Sequence, residues 1–206
     1  MSAIIAPQPP AHRFISGSAL PIWRLSVSQY HGMIEAGILT EDDPVELLEG
    51  WLVTKMPKNP PHRLSTQLTR EALAGILPVG WYVDAQEPIT LSDSEPEPDV
   101  VVVRGQRRDY YERHPGAGDL ALVVEVADAS LQRDRTLKKQ LYARAGIPIY
   151  WLIDLTNHQI EVYTEPFVDA EQADYRCIQN YRQTDLVPVL IEGREVGRLA
   201  LHELLP

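Results

Sequence analysis

The hydrophobic positions of this chain are concentrated in short runs, and the strongest runs lie in its middle. Residues 100–103 and 120–126 are apolar on both faces of an extended strand, which is typical of central strands covered by helices on each side. Residues 134–145 repeat apolar side chains at helical spacing, and residues 149–153 form another buried strand. This strand–helix–strand order predicts a right-handed crossover within a mixed sheet.

Flanking patterns predict the remaining elements. A capping box over residues 26–29 begins a helix that Gly37 ends, and residues 45–53 form a hairpin with Gly50 at its turn. A second helix is predicted over residues 62–77. Further strands are predicted over residues 81–85, 88–91, 159–164, 175–179 and 187–191.

Length and composition indicate a globular protein. The chain has 206 residues, of which 44% are hydrophobic and 23% charged, and this is enough to bury a full core. Residues 1–20 are proline-rich and aperiodic, so we interpret them as a flexible N-terminal arm before a single domain over residues 21–206. The predicted fold class is α/β, of the α+β mixed-sheet kind, with a central mixed β-sheet flanked by helices.

Charge and cysteine content narrow the setting in which the protein works. Asp and Glu number 29 against 19 Lys and Arg, a formal net charge of −10, so any nucleic-acid binding must rest on a local basic patch. No apolar run approaches the roughly 20 residues of a membrane span, and residues 1–10 lack the apolar core of a secretion signal. The single cysteine, Cys177, fits a reducing compartment. We therefore expect a cytoplasmic protein with no membrane contact.

Glu125 is the first candidate for chemistry, because every other side chain in the run 120–126 is apolar. An ionised carboxylate inside such a strand costs several kcal/mol unless it is paired, hydrogen-bonded or bound to a metal. The alternative is structural: Glu125 pairs with one arginine, or it lies at the strand end in water.

Asp99 strengthens the catalytic interpretation, because it stands at the start of another central strand. Two carboxylates on neighbouring strands repel each other, so one must be protonated or a cation must lie between them. Hard oxygen ligands with open positions favour Mg²⁺ or Mn²⁺. The alternative for Asp99 is a turn residue that only begins its strand.

The helix over residues 134–145 supplies a third element. Asp134, Lys138 and Tyr142 recur at every fourth residue, so they share one stripe beside the apolar face. Lys139 points about 100° away, toward Arg135 and solvent, and is the poorer candidate for a catalytic amine. The alternative is a solvated ion pair between Asp134 and Lys138 that contributes a few tenths of a kcal/mol.

Together these residues form a pattern that resembles the Uma2 family of restriction endonucleases, within the PD-(D/E)xK nuclease superfamily. In chain order the pattern is Pro98-Asp99, Val124-Glu125-Val126, Asp134, Lys138, Tyr142, Gly146-Ile147-Pro148, Tyr150-Trp151 and Asp154. The likeness extends over roughly residues 23–163 and includes Leu25-Ser26-Val27, Tyr30, Gly37, residues 45–50 and His62. It implies a restriction-endonuclease-like core.

The chain departs from the family pattern at three places. The superfamily lysine stands two residues after the strand glutamate, where this chain has Ala127. The resemblance therefore implies that Lys138 supplies the amine from the helix. Asp128-Ala129 replaces the common Ser-Pro step, and Ile149 stands where a glutamate often precedes Tyr-Trp.

Three more residues are supporting candidates. Glu46 or Glu49 could add an upstream acid, as superfamily members often do, or could be an exposed hairpin acid. His62 is either a catalytic neighbour or a helix cap or surface contact. Tyr150-Trp151 is most simply core packing. The arginines after the Asp99 strand (Arg104, Arg107 and Arg108) could grip phosphates locally or belong to a solvated loop.

The function that these observations favour is Mg²⁺- or Mn²⁺-dependent hydrolysis of DNA phosphodiester bonds. The resemblance implies that Asp99 and Glu125 hold the metal, with the main-chain carbonyl of Val126 as a further ligand. Lys138 would orient or deprotonate the attacking water or stabilise the developing charge, steered by Asp134 and Tyr142. We also expect a homodimer.

Two alternatives remain at this stage. One is a catalytically silent nuclease-like fold that binds or regulates, and the other is a hydrolase of a small phosphorylated substrate. The charge of the cleft above Asp99 and Glu125 discriminates between them, because a nuclease needs local basic side chains.

Overall fold

A six-stranded mixed sheet forms the centre of the computed structural model, which describes residues 22–40, 42–170 and 172–206. The predicted arm over residues 1–20 lies outside these described residues. The strands are β1 Val45–Leu48, β2 Trp51–Thr54, β3 Trp81–Asp84, β4 Val100–Arg104, β5 Leu120–Ala127, β6 Ile149–Asp154, β7 Gln159–Val168, β8 Ala173–Arg182, β9 Leu186–Ile191 and β10 Arg194–Ala200. The helices are α1 Val27–Glu35, α2 Pro60–Ala74, α3 Leu131–Arg133 and α4 Lys139–Arg144, and a π-helical turn, Asp134–Lys138, joins the last two.

The order of strands in the central sheet is β3-β4-β5-β6-β7-β8. Only the β5–β6 pair is parallel, and the segment α3–α4 connects it, as the strand–helix–strand pattern predicts. The mixed α/β fold class is therefore confirmed. Two hairpins, β1–β2 and β9–β10, lie outside the central sheet.

The central strands β4, β5 and β6 are buried on both faces, which explains why most of their positions are apolar. On one face the side chains of β4, β5 and β6 pack with Leu73 of α2 and with the β9–β10 hairpin. On the other face they pack with Leu141 and Tyr142 of α4. Tyr150 and Trp151 of β6 are fully buried, one on each face, so they are core residues as expected.

The caps of the helices follow the sequence signals. Ser26 caps α1 in a capping box with Gln29, and Asn59 caps α2 by accepting a hydrogen bond from the His62 N–H. Helix α2 therefore begins two residues before the predicted start, with Pro60 in its first turn, where the missing N–H costs nothing. It ends at Ala74, because Gly75 follows.

Two predictions about strands differ from the structure. Residues 88–91 form no strand, since Ile89 and Leu91 donate their N–H groups to Pro96 and Ser94 across a local loop. Strand β10 was not predicted, because Gly197 interrupts its alternation; a Cβ there would lie 3.1 Å from Ile76. No helix in the described part of the chain has the length and apolar character needed to cross a bilayer.

Candidate active site

The two predicted carboxylates meet where β4 begins and β5 approaches its end. The antiparallel register pairs Val100 with Val124, and one further residue along this register Asp99 lies opposite Glu125. Both side chains are almost completely buried, with Asp99 5% and Glu125 4% exposed. They line one cleft together with Lys138, Asp134, Glu46, His62 and Val126.

Glu125 is held by two donors from the helical segment. Lys138 Nζ donates to Glu125 Oε1 at 2.8 Å, and the Tyr142 hydroxyl donates to the same oxygen at 2.5 Å. Lys138 is 3% exposed and also lies 3.4 Å from Glu46 Oε2. Because both donors use Oε1, the second oxygen of Glu125 remains for another ligand.

Asp99 is held by α2 and by the main chain of β5. His62 Nε2 lies 3.1 Å from Asp99 Oδ2, and the Val126 N–H donates to that oxygen at 2.9 Å. The last residue pair between β4 and β5 is Val100 with Val124, so Val126 has no partner residue in β4. On its other side Val126 pairs with Ile153 of β6, so the contact of its N–H with Asp99 ties the end of β5 to the start of β4.

Asp134 lies in the π-helical turn that joins α3 to α4. The side chain is 2% exposed, and its Oδ1 has no hydrogen-bond partner; the nearest cationic nitrogen is Arg133 Nε at 3.7 Å. A π-helical turn adds a residue to the helix and often occurs at functional sites. Here it buries both Asp134 and Lys138, the first and last residues of the turn.

Burial and mutual repulsion set the protonation of these groups. Burial raises the pKa of Glu125 to about 8, opposed by the Lys138 ammonium and reinforced by Asp134 and Asp99. Burial also raises the pKa of Asp134. Burial alone would lower the pKa of Lys138, but the surrounding carboxylates of Glu125, Glu46 and Asp134 outweigh it and raise it. Lys138 is therefore an ammonium at neutral pH.

The donors in this cleft fit a hard divalent cation. An unpartnered buried carboxylate oxygen such as Asp134 Oδ1 is costly, and a bound cation removes that cost. Within the described ranges no three His, Cys, Asp or Glu side chains already stand in the arrangement of a metal site. Mg²⁺ commonly keeps several waters and takes only one or two carboxylates from the protein, and Asp99 and Glu125 would supply that number.

The structure places two residues, Glu49 and Lys139, differently from what the sequence indicated. Glu49, at the turn between β1 and β2, is bound by Arg144 and does not line the cleft. Lys139 is not directed to solvent, because its Nζ is bound by Asp174 of β8 at 2.7 Å. The contact joins two elements that are distant in the chain, so the sequence pattern of β8 could not predict that Asp174 binds Lys139.

Several cleft residues were not anticipated from the sequence. Arg133 lies 4.0 Å from Glu46 Oε1 and 3.7 Å from Asp134 Oδ1. Asn59 donates to Asp128 at 2.6 Å across the rim. The sequence indicates Asn59 only as a residue suited to cap α2, and no feature of the sequence indicates that Arg133 would lie in the cleft. The remaining rim residues are Lys55, Met56, Pro57, Lys58, Glu97, Ala129 and Ser130.

Fold and cleft together define a mixed α/β protein with acids and a lysine in a cleft at the ends of the central strands β4 and β5. A family model described as "Uma2: Putative restriction endonuclease" matches residues 27–200. Because this match covers most of the chain, the chain belongs to the Uma2 family.

A solved structure supports the fold. It is a protein from Anabaena variabilis described as "a putative nuclease belonging to DUF820", with 18% sequence identity and a TM-score of 0.62. The similarity covers 82% of this chain and 94% of that one. No curated protein matches this chain.

Proposed function

We propose that this protein is a Mg²⁺- or Mn²⁺-dependent endonuclease that hydrolyses DNA phosphodiester bonds in the cleft above Asp99 and Glu125. One observation carries the proposal: Lys138 and Tyr142 converge on a single oxygen of a buried glutamate that lies opposite a buried aspartate. A core that needed only stability would not gather the carboxyl groups of Glu125, Glu46 and Asp134 around one lysine and leave an oxygen of Asp134 without a donor, because unpaired buried charge is destabilising.

Lys138 acts in this proposal as a fixed positive charge. Its raised pKa keeps the ammonium protonated, so it donates hydrogen bonds and stabilises negative charge, and it does not remove a proton from water. Tyr142, whose pKa burial raises well above its ordinary value, stays a phenol and fixes the Glu125 carboxylate beside Lys138.

Asp99, Glu125 and the main-chain carbonyl of Val126 are the proposed ligands of the cation. Asp134, whose Oδ1 has no hydrogen-bond partner, lines the same cleft. A bound divalent cation lowers the pKa of a ligated water and neutralises charge on the phosphate. His62 positions Asp99 from α2, and Glu46 lies on the other side of Lys138, where it supports the orientation of the amine.

The test is a cleavage assay on supercoiled plasmid and on linear duplex DNA with Mg²⁺, Mn²⁺ or chelator. We expect cleavage with either metal, none with chelator, and none by Glu125→Gln in either metal. Cleavage that persists in chelator, or that Glu125→Gln retains, contradicts the proposal.

A second candidate is a nuclease-like fold that binds without turnover. It is favoured by the ion pairs of Lys138, whose ammonium already neutralises part of the charge of Glu125 and Glu46. This candidate predicts DNA binding that is independent of divalent metal, with no cleavage of any substrate. Hydrolysis of a small phosphorylated compound is a third outcome, tested with p-nitrophenyl phosphodiesters.

We further propose that the protein is a cytoplasmic homodimer. Restriction-type cleavage of both strands of a duplex is simplest for a two-fold symmetric pair of clefts. Light scattering during size-exclusion chromatography is expected to give twice the chain mass of 23.2 kDa; the monomer mass contradicts it.

A further inference from the structure

We propose that the exposed flank of α2, with Lys58 before it, is the track that binds the phosphate backbone of the nucleic-acid substrate beside the cleft. The inference rests on the proposed function and adds the surface by which an acidic protein would hold a polyanion. The residues of this track are Lys58, Arg63, Gln67 and Arg70.

The three cations of the track have no ion-pair partners, and they lie together in one groove. Across the described parts of the chain most lysine and arginine side chains are ion-paired, as are Lys55 with Glu97, Arg113 with Asp119 and Arg144 with Glu49. The other such pairs hold Arg104, Arg107, Arg133, Arg135, Lys138, Lys139 and Arg198. Lys58, Arg63 and Arg70 have no carboxylate within ion-pair distance among the described residues, and all three line one groove. Arg24, Arg108, Arg176, Arg182 and Arg194 also lack an ion pair there, but none of them lines this groove or the cleft.

The position of this groove ties it to the candidate active site. Lys58 lines both the groove and the cleft that contains Asp99 and Glu125. Arg63 follows His62, whose ring binds Asp99. A strand that leaves the cleft over Lys58 therefore passes directly onto the flank of α2.

Helical geometry arranges the track as a line. Arg63, Gln67 and Arg70 are spaced i, i+4, i+7 and share one exposed stripe, while Ser65, Thr69 and Leu73 form the buried face. Residues 63 to 70 span about 10 Å along the axis. One strand of duplex DNA has a phosphate at about every 3.4 Å of its axis, so the stripe faces about three phosphates.

The opposite wall of the groove contains little uncompensated negative charge. Asp84 is paired with Arg107 at 3.6 Å, which leaves Glu87 as the unpaired acid of this wall. Gln86 lies between them with a positive φ of 60° and donates its N–H to the carbonyl of Pro98, next to Asp99. A left-handed backbone at glutamine is uncommon, and such strain concentrates at functional sites.

The arginines after β4 do not offer the same surface. Arg104 lies at the end of β4 away from Asp99 and is paired with Glu192, near the turn that precedes Arg194. Arg108 and Arg194 are exposed and have no ion pair among the described residues, but neither lines the cleft or its groove. They are therefore matched controls for charge.

The experiment compares two double variants of equal net charge, Arg63→Ala/Arg70→Ala and Arg108→Ala/Arg194→Ala. Binding of a labelled duplex and of a single strand is measured by fluorescence anisotropy in Ca²⁺ at several salt concentrations. We expect the first variant to bind at least about tenfold more weakly, with its log–log salt slope smaller by about two. The control is expected to keep wild-type affinity and slope. Lys58→Ala alone should reduce the slope by about one.

The two proposals can fail separately. If wild type binds and cleaves DNA but the two double variants bind alike, the track is wrong and the proposed function stands. If wild type binds no duplex or single strand at low salt and cleaves none, both are overturned. Thermal unfolding checks that the variants fold, and because all four arginines are exposed, little change is expected.

Discussion

Glu125 and Glu161 occupy the same row of the central sheet, two strands apart, and their side chains face the same helical segment. Glu125 pairs with Leu152 across β5 and β6, and Leu152 pairs with Glu161 across β6 and β7. Both glutamates are about 95% buried. They differ in what surrounds them, and that difference distinguishes the candidate site from a structural ion pair.

The Glu161 side is fully paired. Arg135 binds both oxygens of Glu161 and also Asp154 Oδ2, at 3.1 Å from the latter. The Tyr163 hydroxyl donates a further hydrogen bond to Glu161 Oε2, and Asn157 donates to both oxygens of Asp154. Every charge in this cluster has a partner, as expected of buried charges that serve only the fold.

The Glu125 side is not fully paired. Glu125, Glu46 and Asp134 lie around Lys138, Asp99 lies opposite Glu125 and Arg133 lies at the edge, and one oxygen of Asp134 lacks a hydrogen-bond partner. The cluster also borders an open cleft. An unpartnered carboxylate oxygen beside an open cleft is the physical reason to expect a cation there, and on the Glu161 side every carboxylate oxygen has a donor.

The largest expected effect would come from Lys138→Ala. Turnover should fall by about 10²–10³-fold, since the ammonium stabilises charge that develops on the phosphate. Metal binding should change little, because an ammonium is no ligand. Initial cleavage rates with Mg²⁺, together with calorimetry of Mn²⁺, separate the two effects. Near-wild-type cleavage would refute the role of Lys138 and leave Arg133 as the nearest remaining cation.

Arg135→Ala should produce the converse result. Removing this arginine leaves the buried carboxylates of Asp154 and Glu161 without a counter-charge, which should lower the free energy of unfolding by about 3 kcal/mol. Cleavage per folded molecule should stay within a few-fold of wild type. Urea unfolding measures the first quantity. If activity is lost while stability is retained, the two regions do not differ as described.

The pH dependence of metal binding should distinguish the two glutamates further. The folded pKa of Glu125 is raised to about 8, so below that pH a proton competes with the cation. The apparent affinity for Mn²⁺ should therefore rise by up to about tenfold per pH unit between about pH 6 and 8, and level off above. Glu125→Gln should remove this rise, whereas Glu161→Gln should retain it.

The same shift predicts the stability of the metal-free protein. A pKa above its unfolded value of 4.5 means that the folded state binds the extra proton, so stability is full at low pH and falls as the pH rises toward about 8. Glu125→Gln should flatten this decline and stabilise the metal-free fold at about pH 8. Chemical unfolding in chelator is the measurement, and a decline of equal slope in the variant would exclude Glu125 as its source.

The smallest effect is expected from Lys139→Ala. Its ion pair with Asp174 is partly exposed, so its loss should cost less than about 1 kcal/mol in unfolding and leave cleavage unchanged. A loss of turnover comparable to that of Lys138→Ala would mean that the helical segment presents a different lysine to the cleft.

Much of the fold could be predicted from the sequence, because local patterns determine it. Apolar runs on both faces identified β4, β5 and β6, and the capping box at Ser26 and the turn at Gly50 marked local elements whose hydrogen bonds are formed within a few residues. Strand β10 was missed because Gly197, which packs on Ile76, interrupts its alternation. Residues 88–91 alternate like a strand, but Ile89 and Leu91 donate their N–H groups within a local loop instead of to a neighbouring strand.

The sequence by itself determined which residues are candidates for chemistry: an acid inside an apolar strand and an aspartate at the start of another stand out wherever they pack. Only the tertiary structure decided which cations meet these acids. The π-helical turn shifts the register of the segment, so that Lys138 reaches Glu125 while Arg135 reaches Glu161 and Lys139 reaches Asp174. Which cation meets which acid depends on the extra residue of the π-helical turn and on the pairing of β5, β6 and β7. Neither can be derived from the spacing of residues along the chain.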